Sequence, residues 1–261
     1  MLGKLIKHEL KATGRILLPL YFIVLLLSLF NRLLTNTNVF SGVLGTIRIF
    51  MMTAYGISIL ATLAVTFVVV ILRFYKNLMA DEGYLMFTLP VKPSQLINSK
   101  LIVSFLWNTV GVLVVVASLL IFFGTSDNLR TLGEFIKSLS AELKSVFGDK
   151  YILLIAEFVL MILISLIQQV MLIYVSIAVG NLLNGHKVLG SFAAYIAIST
   201  IMQIIVTLLL AIWANFAGTS FEDLEAIPQL VFPFSIIVAA LFNVVFYFGT
   251  NFIFNKKLNL E

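Results

Sequence analysis

The sequence predicts an all-α polytopic integral membrane protein, and three observations carry that expectation. Hydrophobic residues make up 61% of the 261 and charged residues 11%, against about 25% charged in an ordinary soluble domain. The mean hydropathy is +1.10, which leaves too little polar surface to wrap a soluble core. The apolar residues also gather in six runs of the length, roughly 20 residues, that a helix needs to cross a bilayer core. The low charge and 23 Phe exclude a disordered chain, and 15 Gly with five Pro exclude a collagen-like one. The absence of Cys excludes disulfides and thiolate chemistry. A β-barrel needs alternating segments of about ten residues, and these runs are too continuously apolar for that.

Taken in order, residues 1–15 place Leu2, Leu5, Ile6 and Leu10 near one face, with Lys4, Lys7, His8 and Lys11 mostly on the others. Basic residues beside an apolar stripe suit a helix lying in the membrane interface. The alternative is an extension of the first span, interrupted at Gly14. The spans are expected at 16–34, 49–72, 101–123, 151–179, 188–214 and 231–254. The basic start precedes an apolar run, as in a signal peptide, but Ser28-Leu29-Phe30-Asn31-Arg32 offers no small-x-small cleavage site. An uncleaved first span is expected.

Cation sidedness sets the orientation. Lys4, Lys7, Lys11, Arg15, Arg73, Lys76, Lys92, Lys100, Lys187, Lys256 and Lys257 fall on one side. Arg32, Arg48, Arg130, Lys137, Lys144 and Lys150 fall on the other. Eleven cations against six make the first side cytoplasmic, with both termini on it. With the acids included, the formal charge is +7 inside and −2 outside. The net +5 therefore reads as membrane sidedness. Nucleic-acid binding needs cations clustered on a solvated face, and here they sit in short patches between apolar runs.

The connecting segments carry more pattern. Residues 73–100 form the longest cytoplasmic loop. Asp81-Glu82-Gly83 marks a break, Tyr84, Leu85, Met86, Phe87 and Leu89 cluster in a place facing water, and Pro93 suits the first turn of a following helix. Exposed apolar groups rimmed by charge suggest a docking surface; packing beneath the chain's own spans is the alternative. Residues 124–150 hold an outer amphipathic helix, with Leu129, Leu132, Ile136, Leu139, Leu143 and Val146 at spacings of three and four. It lies on the outer leaflet, caps the spans or pairs with a second copy. The segment 215–230, with Glu222, Asp223, Glu225, Gly218 and Pro228, is expected to be irregular.

Catalytic motifs are missing. No HExxH pair, Walker A loop or GxSxG elbow occurs, and the histidines are His8 and His186. No catalytic residue, metal site or cofactor is assigned to this chain. Polar residues inside the spans are the stronger leads. Gln168, Gln203 and Asn243 lie near the middles of spans four, five and six, Asn108 in the inner half of span three, and Glu157 about two turns into span four. They line a translocation path or act as interhelical glue. Glu157 either pairs with Arg48 or Lys150 or lines an outer vestibule. Small residues recur every fourth position at Ala54, Ser58, Thr62 and Thr66, and again at Gly190 and Ala194. Such rows allow helices to pack closely, within this chain or across a homodimer.

Asp81-Glu82-Gly83-Tyr84-Leu85-Met86-Phe87-Thr88-Leu89-Pro90-Val91, then Gln95-Leu96 and Ser99-Lys100-Leu101, with Leu5-Ile6-Lys7-His8-Glu9-Leu10-Lys11 at the start and the turn from Gly180-Asn181 to Gly190-Ser191, together resemble an ABC-2-type transporter permease of the compact six-span kind common in Bacillota. The resemblance covers nearly the whole length. It implies a permease subunit that dimerises in the bacterial cytoplasmic membrane and binds two ATPase subunits, which carry the ATP and Mg. It implies that the loop holding Asp81, Glu82, Gly83, Tyr84, Leu85, Phe87 and Leu89 is the coupling element, and that spans two and five flank the path and dimer seam. An amphipathic or hydrophobic substrate, a peptide by preference, is implied by likeness to peptide-toxin exporters. A secondary transporter or channel is the alternative, and an intramembrane enzyme the third reading.

Overall fold

Long apolar runs have one way to satisfy every backbone group without water, the helix, and the described residues take it. The computed structural model describes residues 1–35, 43–79, 91–183, 186–217 and 226–256. Among them seven α-helices follow in order: α1 (Leu2–Thr35), α2 (Val43–Met79), α3 (Pro93–Phe123), α4 (Ser126–Phe147), α5 (Tyr151–Gly180), α6 (Lys187–Ala217) and α7 (Ala226–Lys256). A single 3-10 turn, Gly148–Lys150, links α4 to α5. Six stretches are long and apolar enough to cross a membrane. They correspond to α1, α2, α3, α5, α6 and α7. The remaining helix, α4, carries six charged residues in 22 and is amphipathic, as expected. The chain is an all-α polytopic membrane protein.

The observed helices outrun the expected spans. The largest departure is at the start, where residues 2–15 are not a separate interfacial helix. They run into the first span as one helix of 34 residues, with no break at Gly14. A lone glycine costs a helix interior only about 1 kcal/mol, and the Trp107 ring lies 3.4 Å from where a Cβ on Gly14 would stand. Ile6 and Leu10 pack against a cluster of Leu17, Tyr21, Val69, Val103 and Trp107. Part of the amphipathic stripe, Ile6 and Leu10, therefore packs on protein. Pro19 and Pro233 also sit inside helices, a tolerance common in membrane spans. Pro228, read as a mark of irregularity, lies in the first turn of α7. There the missing N–H is one that the helix would not use. Pro93 opens α3 as expected.

Two compact units are distinguishable. The first comprises residues 1–73 and 102–136, the second residues 74–101 and 137–261. In the first, Asn31 of α1 donates to Leu27 O at 2.9 Å and to Met51 O of α2 at 3.1 Å. Arg32 donates to Gly124 O at 2.9 Å, so its guanidinium caps carbonyls that the C-terminus of α3 leaves open. Tyr55 of α2 and Ser118 of α3 are bonded at 3.0 Å, both buried.

In the second unit α5 packs along both α6 and α7. Its stretch from Val170 to Ala178 is buried throughout. The turn from α5 to α6 is made by backbone in contact with backbone. A Cβ on Gly180 would collide with the backbone of Ser191, and one on Gly190 would come within 3.0 Å of Gly180 O. Only a residue without a side chain fits at position 180, so these two helices meet more closely than ordinary packing allows.

Candidate functional site

The residues expected to dock a partner, Asp81, Glu82, Gly83, Tyr84, Leu85, Phe87 and Leu89, lie outside the described residues. What is described is the helix that leads to them. The expected second span ends at Leu72, but α2 continues to Met79. Its 37 residues make a rod of about 55 Å at 1.5 Å per residue.

In the first unit, the end of this rod is tied to α1 by charge. Arg73 donates from Nε at 3.3 Å and from Nη2 at 3.1 Å to Oε2 of Glu9. The Glu9 side chain is 7% exposed and that of Arg73 is 29% exposed. One turn further along α1, Thr13 donates to Glu9 O at 2.8 Å and accepts from Trp107 Nε1 at 2.7 Å. Above it, the Tyr21 hydroxyl stands 3.1 Å from Thr66 Oγ1 and 3.2 Å from Trp107 O. Thr66 in turn donates to Thr62 O at 2.7 Å. Polar atoms thus climb through α1, α2 and α3 as a connected series, sheltered by the Leu17, Val69 and Val103 cluster. Sequence reasoning missed this series. Its one legible trace was the fourfold spacing of Thr62 and Thr66, read as close packing.

In the second unit, the last turns of α2 enter an aromatic clamp. Phe74 is fully buried. Its ring stacks on Tyr174 at a centroid distance of 3.6 Å and meets Phe254 edge-on at 5.9 Å. Asn77 is buried as well. Tyr75, His186, Lys187, Val188 and Leu189 line an open groove beside this end of the helix.

The intramembrane amides divide between the units. Asn108 is in the first, where its Nδ2 donates to Ser104 O of its own helix at 2.9 Å. In the second, Gln168 Nε2 reaches Met202 Sδ at 3.1 Å, and Asn243 Nδ2 reaches Ile164 O at 3.4 Å. Glu157, Ile164 and Gln168 share one face of α5, since seven and four residues each return to the same side of a helix. The buried Oε2 of Glu157 and Oδ1 of Asn243 accept no hydrogen bond. Gln168, Asn243 and Glu157 therefore form a broken polar seam along α5. Gln203 stands apart, exposed on α6. Of the small-residue rows, Thr62 is buried and Gly190 serves the α5–α6 contact. Ala54, Ser58 and Ala194 are half-buried. Compared with known proteins, the chain matches no family model, no curated sequence and no solved structure.

Proposed function

We propose that the chain is the permease subunit of an ATP-driven exporter of the ABC-2 type, working as a pair of copies with two separate ATPase subunits. The supporting observation is α2 itself. It carries the second span without a break past Leu72 and into the buried ring stack of Phe74, and ends at Met79, one residue before the loop that holds Asp81 to Leu89. A force applied to that loop reaches the spans along one helix, which is what coupling to a partner motor requires. The chain has no Walker A loop of its own, so ATP and Mg belong to the partner. Both termini face the cytoplasm, and the membrane is the bacterial cytoplasmic one.

The fifth span supports the pairing of copies. None of its most apolar window is buried within the chain, against 17–28% in the other spans. Gln203 projects from it exposed. An amide against lipid is costly, and a facing copy of α6 would give it a partner. The seam of Glu157, Asn243 and Gln168 borders the substrate path, and an amphipathic peptide is the preferred cargo. Charge reversal of Asp81 and Glu82 to Lys tests the coupling. Basal ATPase activity of the assembled complex is expected to persist while substrate stimulation and transport are lost. Unimpaired transport in that double variant would remove the docking role. A second reading, a secondary transporter, draws on the unbonded Oε2 of Glu157. Ion-driven flux in liposomes lacking any ATPase would select it.

A further inference from the structure

The least explained element is α4. Gly124 and Thr125 join it to α3, and the turn Gly148–Lys150 joins it to α5. Large apolar side chains stay exposed up to both joints of these membrane-spanning helices: Leu120 and Phe123 end α3 at 47% and 54% exposure, and Ile152 and Leu153 begin α5 at 63% and 56%. The hydrocarbon boundary therefore passes close to each end of α4. Links of two and three residues reach at most roughly 7–11 Å. The 22 residues of α4 form a rod of about 33 Å.

The surface of the rod suits that position. Leu129, Leu132, Ile136, Leu139 and Val146 make one apolar stripe and are 41–56% exposed. Arg130, Lys137 and Lys144 recur every seven residues and so form a second stripe along one flank, with Arg130 also paired at 3.0 Å to Glu134 on the exposed surface. Gly148 at φ +58° turns the chain immediately after the helix. That conformation suits glycine, and it interrupts the regular α-helix between α4 and α5.

We propose that α4 is a lipid-surface helix, seated on the leaflet opposite the termini, with its leucine stripe among the acyl chains and Arg130, Lys137 and Lys144 along the lipid phosphates. Three crossings precede α4, which places it on the face away from the N-terminus. The inference needs only the membrane fold and not the exporter reading. The seat is a phospholipid interface because the short links hold the stripe at the hydrocarbon boundary.

The chain lacks Cys, so single spin labels can be placed without first removing native thiols. Leu132→Cys and Leu139→Cys report the apolar stripe; Ala141→Cys and Ser145→Cys report the opposite face. The full-length protein is reconstituted in phosphatidylcholine vesicles containing a minority of phosphatidylglycerol. Collision rates are then measured with oxygen, which concentrates in lipid, and with a water-soluble nickel chelate. The oxygen-to-nickel ratio is expected to be at least about threefold higher at the two leucine positions than at the other two. A ratio that does not alternate with helical period, all four sites favouring nickel, would overturn the proposal in favour of a solvated helix. Leucine sites shielded from both reagents would overturn it in favour of a protein cover, and dipolar broadening between labels at position 132 would identify that cover as a second copy. These four side chains are exposed, so folding does not hinge on them.

Discussion

Removing the cation from the pair at the end of α2 leaves a carboxylate nearly out of water. At 3.1 Å between Arg73 Nη2 and Glu9 Oε2, the gross attraction is about 5 kcal/mol at an effective dielectric constant near 20. Desolvation of both groups opposes it, so the intact pair is a weak net stabiliser. The loss of one partner is the larger effect, about 3–5 kcal/mol for a fully buried pair. The Arg73 side chain is 29% exposed, so screening lowers the expected cost of Arg73→Met to about 2–3 kcal/mol. Glu9→Gln keeps an oxygen that accepts from the guanidinium and is expected to cost about 1–2 kcal/mol. In the double variant neither charge of the pair remains, and the cost is expected to fall at least about 1 kcal/mol short of the sum of the singles. In thermal unfolding of the reconstituted protein, with about 2–4 °C lost per kcal/mol for a chain of this size, Arg73→Met should melt roughly 4–12 °C early. Additive single effects, or an Arg73→Met variant that melts with the wild type, would refute the argument that the pair is coupled and sheltered.

Two further predictions concern packing. Gly180→Ala places a methyl group against the Ser191 backbone and should destabilise by about 1–3 kcal/mol, while Gly56→Ala, where nothing stands within 4 Å, should stabilise by about 0.5–1 kcal/mol through helix propensity. Opposite shifts in melting temperature from one chemical change check the hairpin contact, and equal shifts would contradict it. Trp107→Phe removes the 2.7 Å bond to Thr13 and should cost about 1 kcal/mol, whereas Trp213→Phe, at a half-exposed site, should stay within about 0.5 kcal/mol of wild type in the same melt.

The spans were legible because a bilayer imposes a length on apolar runs, and six of them meet it. Their ends were not, because hydropathy marks where lipid stops rather than where a helix stops. Arg73 closed the expected second span by charge, yet Glu9 neutralises it and α2 continues. Pro93 and α4 were readable from local rules alone: proline at a first turn, and apolar spacing of three and four. The stripe of residues 2–15 did not reveal that its helix continues into the first span, because an amphipathic face says that something apolar covers it, without saying whether that is lipid or, as for Ile6 and Leu10, the cluster around Trp107. The polar series through Thr13, Tyr21, Thr66 and Trp107 joins positions up to 94 residues apart, and no local periodicity encodes such pairings. Of the amides, Gln168 and Asn243 make contacts to neighbouring helices, while Asn108 turns back on its own backbone. Those outcomes depend on which helix lies alongside.

The glycine contact between α5 and α6 also bears on how the chain enters its membrane. The two helices are consecutive and antiparallel, joined by residues 181–186, and the Gln168 amide reaches Met202 inside the same pair. A newly synthesised hairpin can therefore satisfy that amide before α7 has been made. Insertion as a preassembled pair spares the fourth span a passage through lipid with the Gln168 amide bare. The hairpin then offers α7 a finished surface to dock against.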